Sequence, residues 1–158
     1  MAAATSAVPV RHEQLRIRAL RIHAQIRGEG EPLLLYSGIW GEVGLWDLLL
    51  PYLDGFQTIA FDPPGIGRSQ MPAFPLSMWG LAEFGTAVLD QFGIKSAHVL
   101  GASFGGAVAQ QMAFSHPRHV RRLVLGTRDA HGVYAKVGFA PLTRVDRWME
   151  RWNEPPPP

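Results

Sequence analysis

The chain contains no cysteine, which removes disulfides, a thiol nucleophile and thiolate-ligated zinc from consideration and leaves the redox compartment open. Charge is scarce: only 18% of residues are Asp, Glu, Lys or Arg, and the formal net charge is +2. With no dense basic stripe interleaved with aromatics, a nucleic-acid partner is not expected. The opening MAAATSAVPVRHEQ has neither a charged n-region nor an apolar run long enough for a signal peptide or a membrane span, so a cytoplasmic location is expected. Phosphate-binding signatures are also missing. Gly65-Ile66-Gly67 lacks the third glycine of the dinucleotide fingerprint, Met71 standing in its place, and no lysine follows a glycine as in a P-loop. No cofactor and no metal are expected.

What is present suits one folded domain. In 158 residues, 47% are hydrophobic, enough to bury a core. Residues 1–10 read as a disordered lead, 11–131 as the core, and 132–158 as a lid-like helix with a proline tail.

From Leu15 the apolar residues alternate at odd positions to Ala19, then at even positions through Leu20, Ile22, Ala24 and Ile26. One phase flip marks a tight hairpin or bulge near Ala19 between two antiparallel edge strands. The same alternation puts Arg16, Arg18, Arg21 and Arg27 toward water and makes His23 a solvated strand residue. Leu33 to Tyr36 is continuously apolar, as in a strand covered on both faces, and ends in the glycine-bearing loop Ser37-Gly38-Ile39-Trp40-Gly41. Leu45 to Leu53 reads as a short apolar helix. Phe56 to Phe61 is a further strand, emptying into Asp62-Pro63-Pro64-Gly65-Ile66-Gly67-Arg68-Ser69, where Arg68 reads as an exposed loop residue.

Ser77 can cap a helix whose apolar stripe, Leu81, Phe84, Val88, Leu89 and Phe92, follows the 3.6-residue period and stops at Gly93. Val120 to Leu125 is a last strand. Strands alternating with helices at this spacing predict an α/β fold, a mainly parallel sheet of about six strands joined by right-handed crossovers. Beyond it, Leu142, Val145, Met149 and Trp152 share one face of a predicted helix, with Arg144, Arg147 and Arg151 on the other. A lid over the sheet is the simpler reading, and contact with a membrane or granule surface is the alternative.

The chemistry concentrates between Ser96 and Phe114. Ala97 to Leu100 is a strand, a helix-compatible run follows, and between them stands Gly101-Ala102-Ser103-Phe104-Gly105-Gly106. G-x-S-x-G between strand and helix is the nucleophile elbow, in which a strained turn lifts a serine above the sheet. Small residues let helix and strand approach, and the helix N-terminus lies where an oxyanion would form. Ser103 is the candidate nucleophile.

These stretches resemble the amino-terminal half of an α/β-hydrolase-fold enzyme. Within that superfamily, LLLYSGIWGEVGLWDLLLPYL, IAFDPPGIGRS and VLGASFGGAVAQQMA are most similar to intracellular medium-chain poly(3-hydroxyalkanoate) depolymerases and related esterases. The resemblance covers roughly residues 33–132. It implies that Ser103 attacks an ester carbonyl of a small-molecule or polyester acyl substrate and that the backbone N–H groups of Phe104 and Ile39 form the oxyanion hole. Trp40 would line the acyl pocket. Ser37 departs from the histidine that many relatives carry before the glycine, at little cost because the donor is a backbone group.

The resemblance also implies an acid and a histidine after later strands than the six found here. His98, His116 and His119 are placed away from the serine tip; Asp129 and His131, after the sixth strand at its active-site end, are the only local candidates, and two residues of separation make it hard for both to fill the acid and base posts. The expectation is therefore a fragment of an ester hydrolase, inactive alone, whose sixth strand is a bare apolar edge. A non-catalytic acyl-binding remnant and a lyase or cofactor-free peroxidase on the same scaffold are the alternatives. Oligomeric state is not legible.

Overall fold

The computed structural model describes residues 8–126, 131–136 and 138–140. Six strands form one sheet: β1 Val10–Ile17, β2 Leu20–Arg27, β3 Glu31–Tyr36, β4 Phe56–Phe61, β5 Ala97–Gly101 and β6 Val120–Leu125. Their spatial order is β1-β2-β4-β3-β5-β6. The β1–β2 and β2–β4 pairs are antiparallel, while β3 pairs parallel with β4 and β5, and β5 with β6. The helices are α1 Met78–Gln91, α2 Phe104–Ser115 and the short α3 His131–Ala135.

The phase flip is a two-residue turn, with Arg18 at φ 50° and Ala19 at φ 66°. Left-handed backbone at both central positions gives a turn whose twist matches the flanking strands. Ser77 caps α1 by accepting a hydrogen bond from Gly80 N at 3.1 Å, and Gly93 leaves the helix at φ 68°. Pro117 begins a single 3-10 turn after α2. Both faces of the sheet are covered. On one, Ile22, Ala24, Leu34, Ile59 and Val99 pack against Phe84, Val88 and Leu89 of α1 and Val108 and Met112 of α2. On the other, Leu33, Leu35, Ala60 and Leu100 pack against Val43, Trp46, Leu50 and Leu53 from the β3–β4 connection.

Four readings of the sequence are corrected. Only β1 is an edge of the hairpin, because β2 is hydrogen-bonded to β4 on its far side. His23 is therefore not solvated: it is 1% exposed and bonded to Asp62. Arg27 is likewise buried, donating to Leu50 O at 2.8 Å and to Asp54 at 3.1 Å. Asp62 engages His23, and Leu50 and Asp54 of the β3–β4 connection engage Arg27, so these two side chains face protein while Arg21 on the same side stays exposed. Finally, Leu45 to Leu53 is no continuous helix but two 3-10 turns, Val43–Trp46 and Leu50–Tyr52, the second carrying Pro51 near its start. The strand at the amino end begins at Val10, and residues 1–7 lie outside the described residues. So do the stretch read as a helix from Leu142 to Trp152 and the proline tail.

Candidate active site

Ser103 stands between β5 and α2, exposed, at φ 53° and ψ −124°. A side-chain-bearing residue enters that region only where its surroundings impose it. They do so here through close packing. A Cβ on Gly101 would lie 2.5 Å from Gly105 O, and one on Gly105 would lie 2.2 Å from Tyr36 O and 2.4 Å from Ser37 O. Gly106 is less constrained, its nearest neighbour being a Leu125 methyl at 3.3 Å. The elbow is thus wedged against the end of β3, where Ala102 N also donates to Tyr36 O at 3.0 Å.

The loop after β3 closes over the serine. A Cβ on Gly38 would stand 3.2 Å from Ser103 Cβ and 3.7 Å from its Oγ. Gly41 N bonds back to Gly38 O at 3.0 Å, and Trp46 Nε1 donates to Ser37 Oγ at 3.0 Å, fixing both ends of the turn. Within it Trp40 takes φ 61°. Among the described residues, the N–H groups of Ile39 and Phe104 donate to no backbone or side-chain acceptor, so both remain available to a ligand oxygen. Ile39 and Trp40 are 64% and 82% exposed, and with Gly38, Phe61, Phe104 and Val108 they line an apolar cavity of about 200 Å³.

Asp62 carries a role that sequence reasoning missed. Its carboxylate is fully buried: Oδ1 accepts from Val43 N at 2.7 Å, while Oδ2 accepts from Arg68 N at 2.9 Å and His23 Nδ1 at 2.8 Å. One side chain thereby joins β2, the loop after β3 and the loop after β4. Gly67, at φ 52°, is explained by it, since a Cβ there would lie 2.5 Å from Asp62 Oδ2. The signal in the sequence was an acid directly after a strand, followed by a Gly-x-Gly turn that no phosphate required. Tyr36 is a second buried polar group, its hydroxyl donating toward Leu81 O and Ala82 O at 3.3 Å each. Burial pushes its phenol pKa well above the ordinary range.

Among the described residues no side chain hydrogen-bonds the Ser103 hydroxyl. His98 sits in β5 and pairs with Glu31 at 3.0 Å. His116 and His119 stand beyond the far end of α2, about 18 Å along the helix from Ser103. His119 there meets Asp90 at 3.7 Å. Asp129 lies outside the described residues, as does the side chain of His131 at the start of α3. The described residues offer no cluster of three or more His, Cys, Asp or Glu able to hold a metal ion, and no described helix is long and apolar enough to cross a membrane.

The family model for the alpha/beta hydrolase fold matches residues 31–152. The chain belongs to the α/β-hydrolase family. It is 36% identical over 106 residues to the poly(3-hydroxyalkanoate) depolymerase of Ectopseudomonas oleovorans, a match covering 65% of this chain and 36% of that protein. It is 35% identical over 113 residues to the 2-hydroxymuconate semialdehyde hydrolase of Pseudomonas sp. (strain CF600), covering 67% and 39%. Among solved structures, the N-acyl homoserine lactonase AidH, crystallised with N-hexanoyl homoserine, superposes with a TM-score of 0.68 at 32% identity, covering 74% of this chain and 44% of that one. This α/β-hydrolase chain thus spans about two fifths of the length of these three proteins.

Proposed function

We propose that this chain carries the nucleophile and oxyanion hole of a serine hydrolase acting on carboxylic esters, with short acyl or 3-hydroxyalkanoate polyester substrates as the favoured class. The observation that carries the reading is Ser103 in left-handed backbone at the strand tip, with the Gly38 backbone against it and the Ile39 and Phe104 N–H groups unengaged.

In the proposed reaction Ser103 Oγ attacks the ester carbonyl carbon and its proton passes to a base. The carbonyl oxygen becomes an oxyanion held by the Ile39 and Phe104 N–H groups. The C–O bond then breaks, the alcohol leaves with the proton, and water releases the acid from the acyl-serine. The base and its acid partner come from outside the described residues, since nucleophiles of this fold precede both in chain order. Trp40, Phe104 and Val108 would receive the apolar acyl tail. Similarity to the depolymerase and the lactonase supports an ester or lactone carbonyl as the target.

A second reading has its own support. No described imidazole bonds to Ser103, which favours a chain that binds acyl groups without turning them over. A fluorophosphonate probe separates the two. Labelling of Ser103, abolished in Ser103→Ala, supports the nucleophile. A folded sample that resists the probe yet binds hexanoate saturably supports the binding role and overturns the first reading.

A further inference from the structure

Of the two N–H groups proposed to hold an oxyanion, that of Phe104 is set by the elbow itself, since Phe104 opens α2 directly after Ser103. That of Ile39 has no such support. Ile39 is 64% exposed and stands between Gly38 and Trp40, in a loop where Trp40 holds a left-handed φ of 61°. Its N–H has to be held in place by contacts made elsewhere in the loop, because a shift of about 1 Å in a group that acts on the reacting atoms can cost on the order of a hundredfold in rate.

The sheet sets the direction from which the loop is held. Along β3, Leu34 and Tyr36 join the cluster under α1 and α2, while Leu33 and Leu35 join the one that contains Val43 and Trp46. Ser37 continues the second set, and its hydroxyl meets Trp46 Nε1 at 3.0 Å. An indole N–H only donates, so Ser37 Oγ is the acceptor. Both residues are buried, at 3% and 5% exposure. Ser37 directly precedes Gly38, where a Cβ would lie 3.2 Å from Ser103 Cβ, and it also supports the far side of the turn, since a Cβ on Gly41 would lie 2.7 Å from Ser37 Cβ. Trp46 is held in turn. It ends the 3-10 turn Val43–Trp46, and the Val43 N–H at the start of that turn donates to the buried Asp62 carboxylate at 2.7 Å. A continuous strut therefore runs from Asp62 through the 3-10 turn and the indole to Ser37, and stops one residue short of the backbone that rests on Ser103.

We infer, on the reading of Ser103 as the nucleophile, that Trp46 is a positioning residue for the Ile39 oxyanion donor, acting through the Ser37 hydroxyl. Without the indole N–H, the buried Ser37 oxygen loses its donor, Ser37 and Gly38 shift, and the Ile39 N–H falls out of line with the oxyanion. The apolar cavity beside it is lined by Phe61, Leu81 and Val108 as well, so the loss falls on bond formation and not on entry of the ligand.

The test follows fluorophosphonate labelling of Ser103 in the full chain, separating the maximal rate from the half-saturating probe concentration, and records by NMR the shift that hexanoate induces in the Ile39 amide. Trp46→Phe should lower the maximal rate about tenfold or more, leave half-saturation within about twofold, and remove the hexanoate-induced shift. Ser37→Ala should do the same and serves if Trp46→Phe does not fold; combined with Trp46→Phe it should add nothing, because both remove one interaction. Leu53→Ala, in the same cluster but at the far end of the β3–β4 connection, should lower the urea midpoint while labelling at the wild-type rate. Trp46 has no positioning role if the Trp46 and Ser37 variants label at the wild-type rate, if only half-saturation changes, or if Leu53→Ala slows labelling as much. Wild-type protein that resists the probe refutes the Ser103 reading separately. The Ile39 amide then decides for Trp46, against it if hexanoate shifts that amide equally in Trp46→Phe or leaves it unmoved in the wild type.

Discussion

The chain handles polar groups in opposite ways at two places on the same sheet. At the tip of β5, Ser103 is exposed and strained, and the N–H groups proposed as its oxyanion donors engage no acceptor among the described residues. Two strands away, at the end of β4, Asp62 is wholly buried and takes three donors within 2.9 Å. The two regions share the loop after β3, whose Val43 end is pinned by Asp62 while its Gly38 end rests on Ser103. Free hydrogen-bonding capacity at one end is tolerable because the other end is over-determined. Preorganised amides cost no rearrangement when charge develops, and rigidity has to be supplied from somewhere.

The strongest way to break this contrast is Asp62→Ala. It strands three donors at once, those of Val43 and His23 buried, and should lower unfolding free energy by about 3–5 kcal/mol in a urea titration. Asp62→Asn, which keeps shape and one acceptor oxygen, should cost roughly 1–3 kcal/mol and slow fluorophosphonate labelling if the loop holds the Ile39 oxyanion donor. Next in size is Gly105→Ala, which would push a methyl into the Tyr36 and Ser37 carbonyl oxygens. A loss of about 2–4 kcal/mol is expected, because rigid backbone cannot give way. Gly106→Ala meets a Leu125 methyl at 3.3 Å and Gly101 O at an ordinary contact distance of 3.5 Å, and it gains helix propensity, so it should stay within about 1 kcal/mol of wild type. Equal costs for the two would refute the packing account of the elbow.

The strand boundaries were legible where period and punctuation agreed: Phe56–Phe61 and Val120–Leu125 are the strands expected, Ser77 caps α1, and Gly93 ends it. The turn around Ser103 was legible too, because its glycines and flanking elements are local features. What could not be read was long-range. Alternation divides β2 into two faces but does not say which groups of the polar face later segments will engage, so His23 and Arg27 passed for solvated groups. Asp62 escaped for the same reason, since its partners Val43, His23 and Arg68 come from three different segments. In Leu45–Leu53 apolar content alone suggested a helix, and packing against β3 and β4 with Pro51 in the second turn gave two short ones instead.

The strained end permits a prediction of opposite sign. Ser103 makes no capping hydrogen bond and holds positive φ, so Ser103→Gly should raise stability by about 1 kcal/mol while abolishing covalent labelling. A neutral or destabilising effect would mean that the backbone there is relaxed, and the contrast with Asp62 would lose its first half.

The smallest effect lies at the opposite end of β5, away from both regions. Hydrogen bonding to His98 holds the Glu31 carboxyl below its ordinary value of 4.5. A lowered carboxylate pKa means that the fold favours the charged form, so the pair contributes above the ordinary carboxylate range and its contribution fades as acid protonates Glu31. Glu31→Gln should therefore melt slightly below wild type near neutral pH and level with it well below pH 4.5. Because the Glu31 side chain is 62% exposed, solvent keeps the difference small. A gap between the two proteins that persists undiminished in acid would show that Glu31 acts through packing and not through its charge.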